Sequence, residues 1–194
     1  MASQPIVHAF RIAGTTFTIS LVISYLSGFN LGLTLSLIIL ALVVLVGIIF
    51  DVVGTAVTAA EEKPFHAMGA DKVHGSREAI YLIRHADLVA NFCNDVVGDI
   101  AGTISGALAA AIVLQLAQNG WPVNELINAA VIALIAACTV GGKALGKSYA
   151  INQANQIVFY VGKLLSWLKL VDADLKKAKR KNRSNLRKVR RNHG

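Results

Sequence analysis

Charge is what this sequence has little of. Only 15% of its 194 residues are charged, 55% are hydrophobic, and the mean hydropathy is +0.57. A soluble domain carries about a quarter charged residues, so the composition excludes an ordinary soluble protein and points to an integral membrane protein. Cysteine is scarce, with Cys93 and Cys138 the only two. Both lie in or near apolar segments without metal-site spacing, so no disulfide framework is expected and both read as small buried side chains. No P-loop, no Gly-X-Gly-X-X-Gly and no serine–histidine–acid set is present, so no enzyme activity is expected. A signal peptide is not expected either. Arg11 is the one Lys or Arg before the first apolar run, and no small-residue cleavage site follows. The length leaves room for one membrane domain with short loops and no sizeable soluble domain.

The formal net charge of +8 belongs to one end of the chain. Eleven of the nineteen basic residues fall from Lys169 onward, where Asp172 and Asp174 are the only acids. The chain therefore divides into a near-neutral membrane domain, residues 1–170, and a basic cytoplasmic tail, residues 171–194.

Four stretches are apolar enough to be transmembrane helices: residues 12–29, 31–60, 88–117 and 126–145. The second is the clearest. It becomes polar on one face at Asp51, Gly54, Thr55 and Thr58 before Glu61, Glu62, Lys63 and Pro64 end it. Residues 65–85 read as a polar connector, helical in its second part, that enters the next helix through one amphipathic turn. Gly142, Lys143, Gly146 and Lys147 interrupt the last span. Residues 148–170 carry apolar positions at helical spacing with Phe159, Tyr160 and Trp167, as in an amphipathic juxtamembrane helix. The expected fold class is an all-α integral membrane bundle of three or four transmembrane helices plus that helix. The 61–87 loop holds Lys63, Lys72, Arg77 and Arg84, whereas the 27–30 and 118–125 loops hold no Lys or Arg. The positive-inside rule then puts the C-terminus in the cytoplasm of a multi-pass protein of the cell membrane. The N-terminus joins it with four spans, and lies outside with three.

The stretch DLVANFCNDVVGDIAGTISGALAAAIVLQLA, residues 87–117, carries the chemistry. Asn91, Asp95 and Asp99 follow at four-residue steps and share one helical face. Gly98, Gly102 and Gly106 form a second ladder, as in a close-packing seam within the bundle or at a homodimer interface. Carboxylates at membrane depth are costly and usually face a partner, a cavity or an ion. His66, His74 and His85 match no zinc spacing and read as surface histidines.

The order of these motifs resembles the transmembrane domain of the CNNM/CorC family of magnesium and cobalt transporters. The segment IIFDVVGTAVTAAEEKPFHAMGADKVHGSREAIYLI is similar to the family's small-residue helix end and connector. FCNDVVGDIAG is similar to its Gly-Asn-Asn helix, and GGKALGKSYAINQANQIVFY to its Gly-Glu-X-X-Pro-Lys helix end with the juxtamembrane helix. The resemblance covers roughly residues 31–170. It implies a dehydrated Mg2+ held by helix-borne oxygens, with Asn94 at the motif asparagine. The chain departs from the pattern at the motif glutamate, where Lys143 stands, and at the motif proline, where Gly146 stands. The first motif's glutamate falls at Gly54. The family's nucleotide-binding CBS pair is not expected.

Two readings follow. In the first, Asn94, Asp95 and Asp99, with Asp51 and Thr55 across from them, form an oxygen-lined site for a divalent cation moved across the bilayer. In the second, Lys143 is a fixed counter-charge to Asp51, Asp95 or Asp99, and the protein is a non-transporting scaffold or accessory subunit. Threonines such as Thr58 more often bond their own backbone than an ion. The tail, through Lys176, Lys177, Lys179, Arg180, Lys181 and Arg183, is expected to bind anionic lipid headgroups. RNA or a ribosome is the alternative partner for it.

Overall fold

A computed structural model describes residues 32–168 and five single positions before them, 13, 14, 17, 18 and 21. The expected span 12–29 and the basic tail lie outside the continuously described residues. Among the described residues the chain is helical, without a strand. Three of its helices are long and apolar enough, by length and composition, to cross a membrane.

The first, α1, runs Leu33–Ala59. At 1.5 Å per residue its 27 residues reach about 40 Å, longer than the ~30 Å hydrocarbon core of a bilayer. Asp51 comes about 27 Å from its start, where an apolar slab beginning at Leu33 would be nearly crossed. The helix ends at Ala60, and the next N–H, that of Glu61, donates to Asn155 Oδ1 at 2.9 Å. The chain then forms two short helices, α2 (Lys63–Ala70) and α3 (Ser76–Arg84). Pro64 opens α2, where its fixed φ and missing N–H cost nothing.

The second long helix is composite. A short α4 (Ala86–Ala90) runs into a π-helical segment, Asn91–Val97, and then into α5 (Gly98–Gln118). Gly120, at φ +82°, turns the chain after α5. Asn124 Oδ1 accepts the Ile127 N–H at 2.8 Å and caps α6 (Glu125–Asn152). The residues Gly142 to Lys147 do not interrupt that helix, as their composition suggests, because they remain in its hydrogen-bonded interior. The break comes at Gln153, and the juxtamembrane helix, α7, is Ala154–Trp167.

Small residues set the register. Gly47 of α1 faces Ala101 of α5, and Ser36 and Gln115 exchange hydrogen bonds farther out at 3.2 and 3.4 Å. These pairs descend in opposite directions, so α1 and α5 are antiparallel. Gly142 and Gly146 of α6 receive Ile48 and Val52 of α1, so those two helices run parallel. This four-residue glycine pair is the close-packing seam of the bundle.

Two cores result. Between α1 and α5 lie Leu40, Ile104, Leu108 and Ile112. At the other end of α1, Ala56 and Val57 meet Phe65, Ala79, Leu82, Ala150 and Val158, drawn from α2, α3, α6 and α7. Residues 65–85 are thus not only a connector. Phe65 is 1% exposed, and α3 packs along α7.

Candidate functional site

The polar residues of the long helices divide between an inner cluster and an outer face. In the inner cluster, Asp51 of α1 is 3% exposed. Its Oδ2 lies 3.6 Å from Lys147 Nζ of α6 and accepts no hydrogen bond. One turn along α1, Gly54 abuts the π segment. A Cβ on Gly54 would collide with Asn94 Oδ1 and come within 3.0 Å of Cys93 Cβ. The Asn94 carbonyl oxygen is therefore pressed against the α1 backbone, buried and without a hydrogen-bond partner. A buried acceptor left in that state costs about 1–3 kcal/mol. Lys143, one turn before Lys147, donates to the Gly98 carbonyl at 3.5 Å, the long limit of such a bond.

Lys143 therefore does not take the role expected of it. It reaches a backbone carbonyl, and the ammonium beside Asp51 is that of Lys147. The reason is register. Gly142 and Gly146 seat α6 on Ile48 and Val52, which brings position 147 to the level of Asp51. Lys143 and Lys147 share a helical face, so the sequence alone offers both.

The outer face holds Asn91, Asp95 and Asp99. All three are exposed. Asp95 and Asp99 thus stand apart from buried Asp51. Among the described residues, no three of the His, Cys, Asp and Glu side chains come together as a metal-holding group. Thr55 is half-buried, and Thr58 donates to the Thr55 carbonyl at 2.8 Å, the usual self-satisfaction of a helical threonine. The glycine ladder splits: Gly98 is buried near Lys143 Nζ, while Gly102 and Gly106 are exposed with nothing near them. At 3.6 residues per turn a four-residue step rotates by about 40°, so the three glycines cannot all face one neighbour.

Among the described residues, His66, His74 and His85 belong to no metal-holding group. His66 Nε2 lies 2.8 Å from Glu62 Oε1, and His85 Nδ1 lies 2.8 Å from the Tyr81 carbonyl. Arg84 also donates to Glu62 Oε1, through Nε at 2.7 Å, which ties the end of α3 to the start of α2. Those bonds, Arg84's first and His66's second, hold the Glu62 carboxyl below its usual value of 4.5. Cys93 is buried as expected, whereas Cys138 is exposed on α6.

Three features of this site were missed from sequence: the ion pair at Lys147, the α6 glycine seam and the π segment. The Gly-X-X-X-Gly spacing at 142–146 was the available signal for the second. The π segment has no comparable sequence signature. No family model, no curated protein and no solved structure matches the chain.

Proposed function

We propose that the protein is a multi-pass protein of the cell membrane, acting as a non-transporting scaffold or accessory subunit whose inner carboxylate is neutralised by a tethered lysine. The observation that carries this reading is the 3.6 Å approach of Lys147 Nζ to the buried Asp51 Oδ2. A dehydrated Mg2+ requires several hard oxygen donors in a near-octahedral shell. Here one carboxylate, the Asn94 carbonyl and Thr55 are the oxygens offered, and an ammonium stands against the carboxylate. Coulomb repulsion between that ammonium and a divalent ion is strong in a poorly screened site. The residues present therefore fit a magnesium site poorly. In this reading the C-terminus is cytoplasmic and the tail docks on anionic headgroups at about 1 kcal/mol per basic residue. The exposed Gly102 and Gly106 offer a seam for a second copy.

Divalent cation transport is the second reading, favoured by the two buried oxygens without hydrogen bonds, Asp51 Oδ2 and Asn94 Oδ1. Magnesium and cobalt flux into liposomes separates the two, with wild type beside Lys147→Glu and Asp51→Asn. The scaffold reading expects no flux in wild type. Flux in wild type that Asp51→Asn abolishes would overturn it. Metal binding gained only in Lys147→Glu would identify a cation site filled by the protein's own lysine.

A further inference from the structure

Three helices stop being uncharged at one level. Gly47 of α1 meets Ala101 of α5, and Gly54 meets Asn94 of the π segment. That register sets Asp99 level with Ile49 of α1 and Asp95 level with Val53. On α6, Gly142 meets Ile48 and Gly146 meets Val52, so Lys143 is also level with Ile49 and Lys147 with Val53. Asp51 lies midway. Five charges from three helices thus share a band about 6 Å deep. On one side of the band the helices carry no Asp, Glu, Lys or Arg over residues 33–50, 100–118 and 126–142. Glu125, at the start of α6, and the exposed Trp121 mark the other limit of this slab. At 1.5 Å per residue the three stretches reach about 25–28 Å. A typical hydrocarbon core is ~30 Å thick, and any helix tilt shortens the depth covered.

A core of ordinary thickness drawn from Trp121 would submerge the band. Asp51 and Lys147 offset each other at 3.6 Å. Asp95 and Asp99 are exposed and have no ion-pair partner among the described residues. Two lone carboxylates in hydrocarbon cost several times what thinning a bilayer by a few ångströms costs. Thinning therefore wins. Past the band the exposed apolar side chains include Phe92 and Tyr149, aromatics suited to the headgroup layer. We propose that this protein fits a bilayer whose hydrocarbon core is about 25–27 Å thick, formed by short-chain lipids, with the charged band at its headgroup boundary. This rests on the membrane reading above and adds to it the kind of bilayer the helices match.

The test uses the full-length protein in phosphatidylcholine liposomes with palmitoleoyl, eicosenoyl or erucoyl chains. The thermal unfolding midpoint is expected to be highest with palmitoleoyl, the shortest chain, and to fall as the chains lengthen. Asp95→Leu with Asp99→Leu removes two exposed charges and should narrow that difference. A charged maleimide supplied on both sides of the palmitoleoyl bilayer reads depth. Cys138 is exposed on α6, about 8 Å from Lys143 into the slab, and is the reference held in lipid. Asp99→Cys in a Cys138→Ala background is expected to react at least about tenfold faster than Cys138. A midpoint as high in eicosenoyl as in palmitoleoyl bilayers would overturn the proposal. So would an Asp99→Cys thiol as slow as Cys138, or a chain-length dependence unchanged by the two leucines. Protein that does not float with the liposomes would instead sink the membrane reading itself, and the thickness with it.

Discussion

The two cores of this protein are built by different means. The core at the end of α1 is closed on every side, with Ala56, Ala79, Ala150 and Val158 at 0% exposure and five helices contributing. The core between the long helices is a single line of contact between α1 and α5, and α6 buries only Ala150, near its end. Leu42, Leu45, Leu134 and Val140 stay exposed along α1 and α6. In water such surface would be a liability, whereas lipid tails are as apolar as leucine. Helices in that solvent would gain from close approach rather than from burial, and glycines 47, 54, 142 and 146 bring the helices close here. The end core has the tight, many-sided packing of a water-facing domain.

This contrast can be broken most severely at Phe65. Phe65→Ala is expected to lower stability by about 3–5 kcal/mol, read from thermal unfolding in detergent, because it empties the centre of the closed core. Leu134→Ala on α6 should cost a small fraction of that.

The second test compares glycines. Gly146→Leu should drive α6 away from Val52 and destabilise by about 1–3 kcal/mol, and Gly102→Leu should leave the unfolding midpoint of the monomer unchanged. A loss of self-association in Gly102→Leu at constant midpoint would assign the exposed glycines to an interface between copies.

The third concerns the inner ion pair. Lys147→Met leaves Asp51 buried without a cation and should destabilise by about 1–3 kcal/mol. Adding Asp51→Asn should recover most of that loss, which a double-mutant cycle would measure. Additive effects would show that the two charges do not interact.

The smallest effect is expected at Glu62. Its folded-state value is depressed, so its contribution is complete above the unfolded value near 4.5 and is lost as pH falls through the lower folded value. A shallow loss of stability below pH 4.5, absent in Glu62→Gln, is the expected signature. Arg84→Ala should remove most of it, since the Arg84 hydrogen bonds are the main cause.

The long helices were legible because hydropathy alone defines them: the expected boundaries 31–60 and 88–117 differ from Leu33–Ala59 and Ala86–Gln118 by one or two residues. Helix α6 was read too short because Lys143 and Lys147 lower its local hydropathy while its two glycines deepen a groove for Ile48 and Val52. Composition registers the first fact and geometry the second. The closed core was not legible, since Val57, Phe65, Ala79 and Val158 are separated by up to about a hundred residues and stand among polar neighbours. The inner site was half legible. Asp51, Asn94, Asp95 and Asp99 were expected in one polar region; the structure sets Asn94 against Gly54, near Asp51 on α1, and leaves Asp95 and Asp99 exposed. The choice between Lys143 and Lys147 depends on how α6 is seated, which no local pattern encodes.

A π turn holds one residue more than the α-helix around it, and such turns recur at functional sites. In the helix that runs from Ala86 to Gln118 this surplus residue sits opposite Gly54, with Asn94 at its centre. It is like a dislocation in an otherwise regular lattice: displacing it along the helix would neither create nor destroy a residue. Each one-residue displacement would hand a different side chain to Gly54 and turn the intervening residues by about 100°. Such a displacement would change what the helix shows its neighbour while both of its ends stayed where they are.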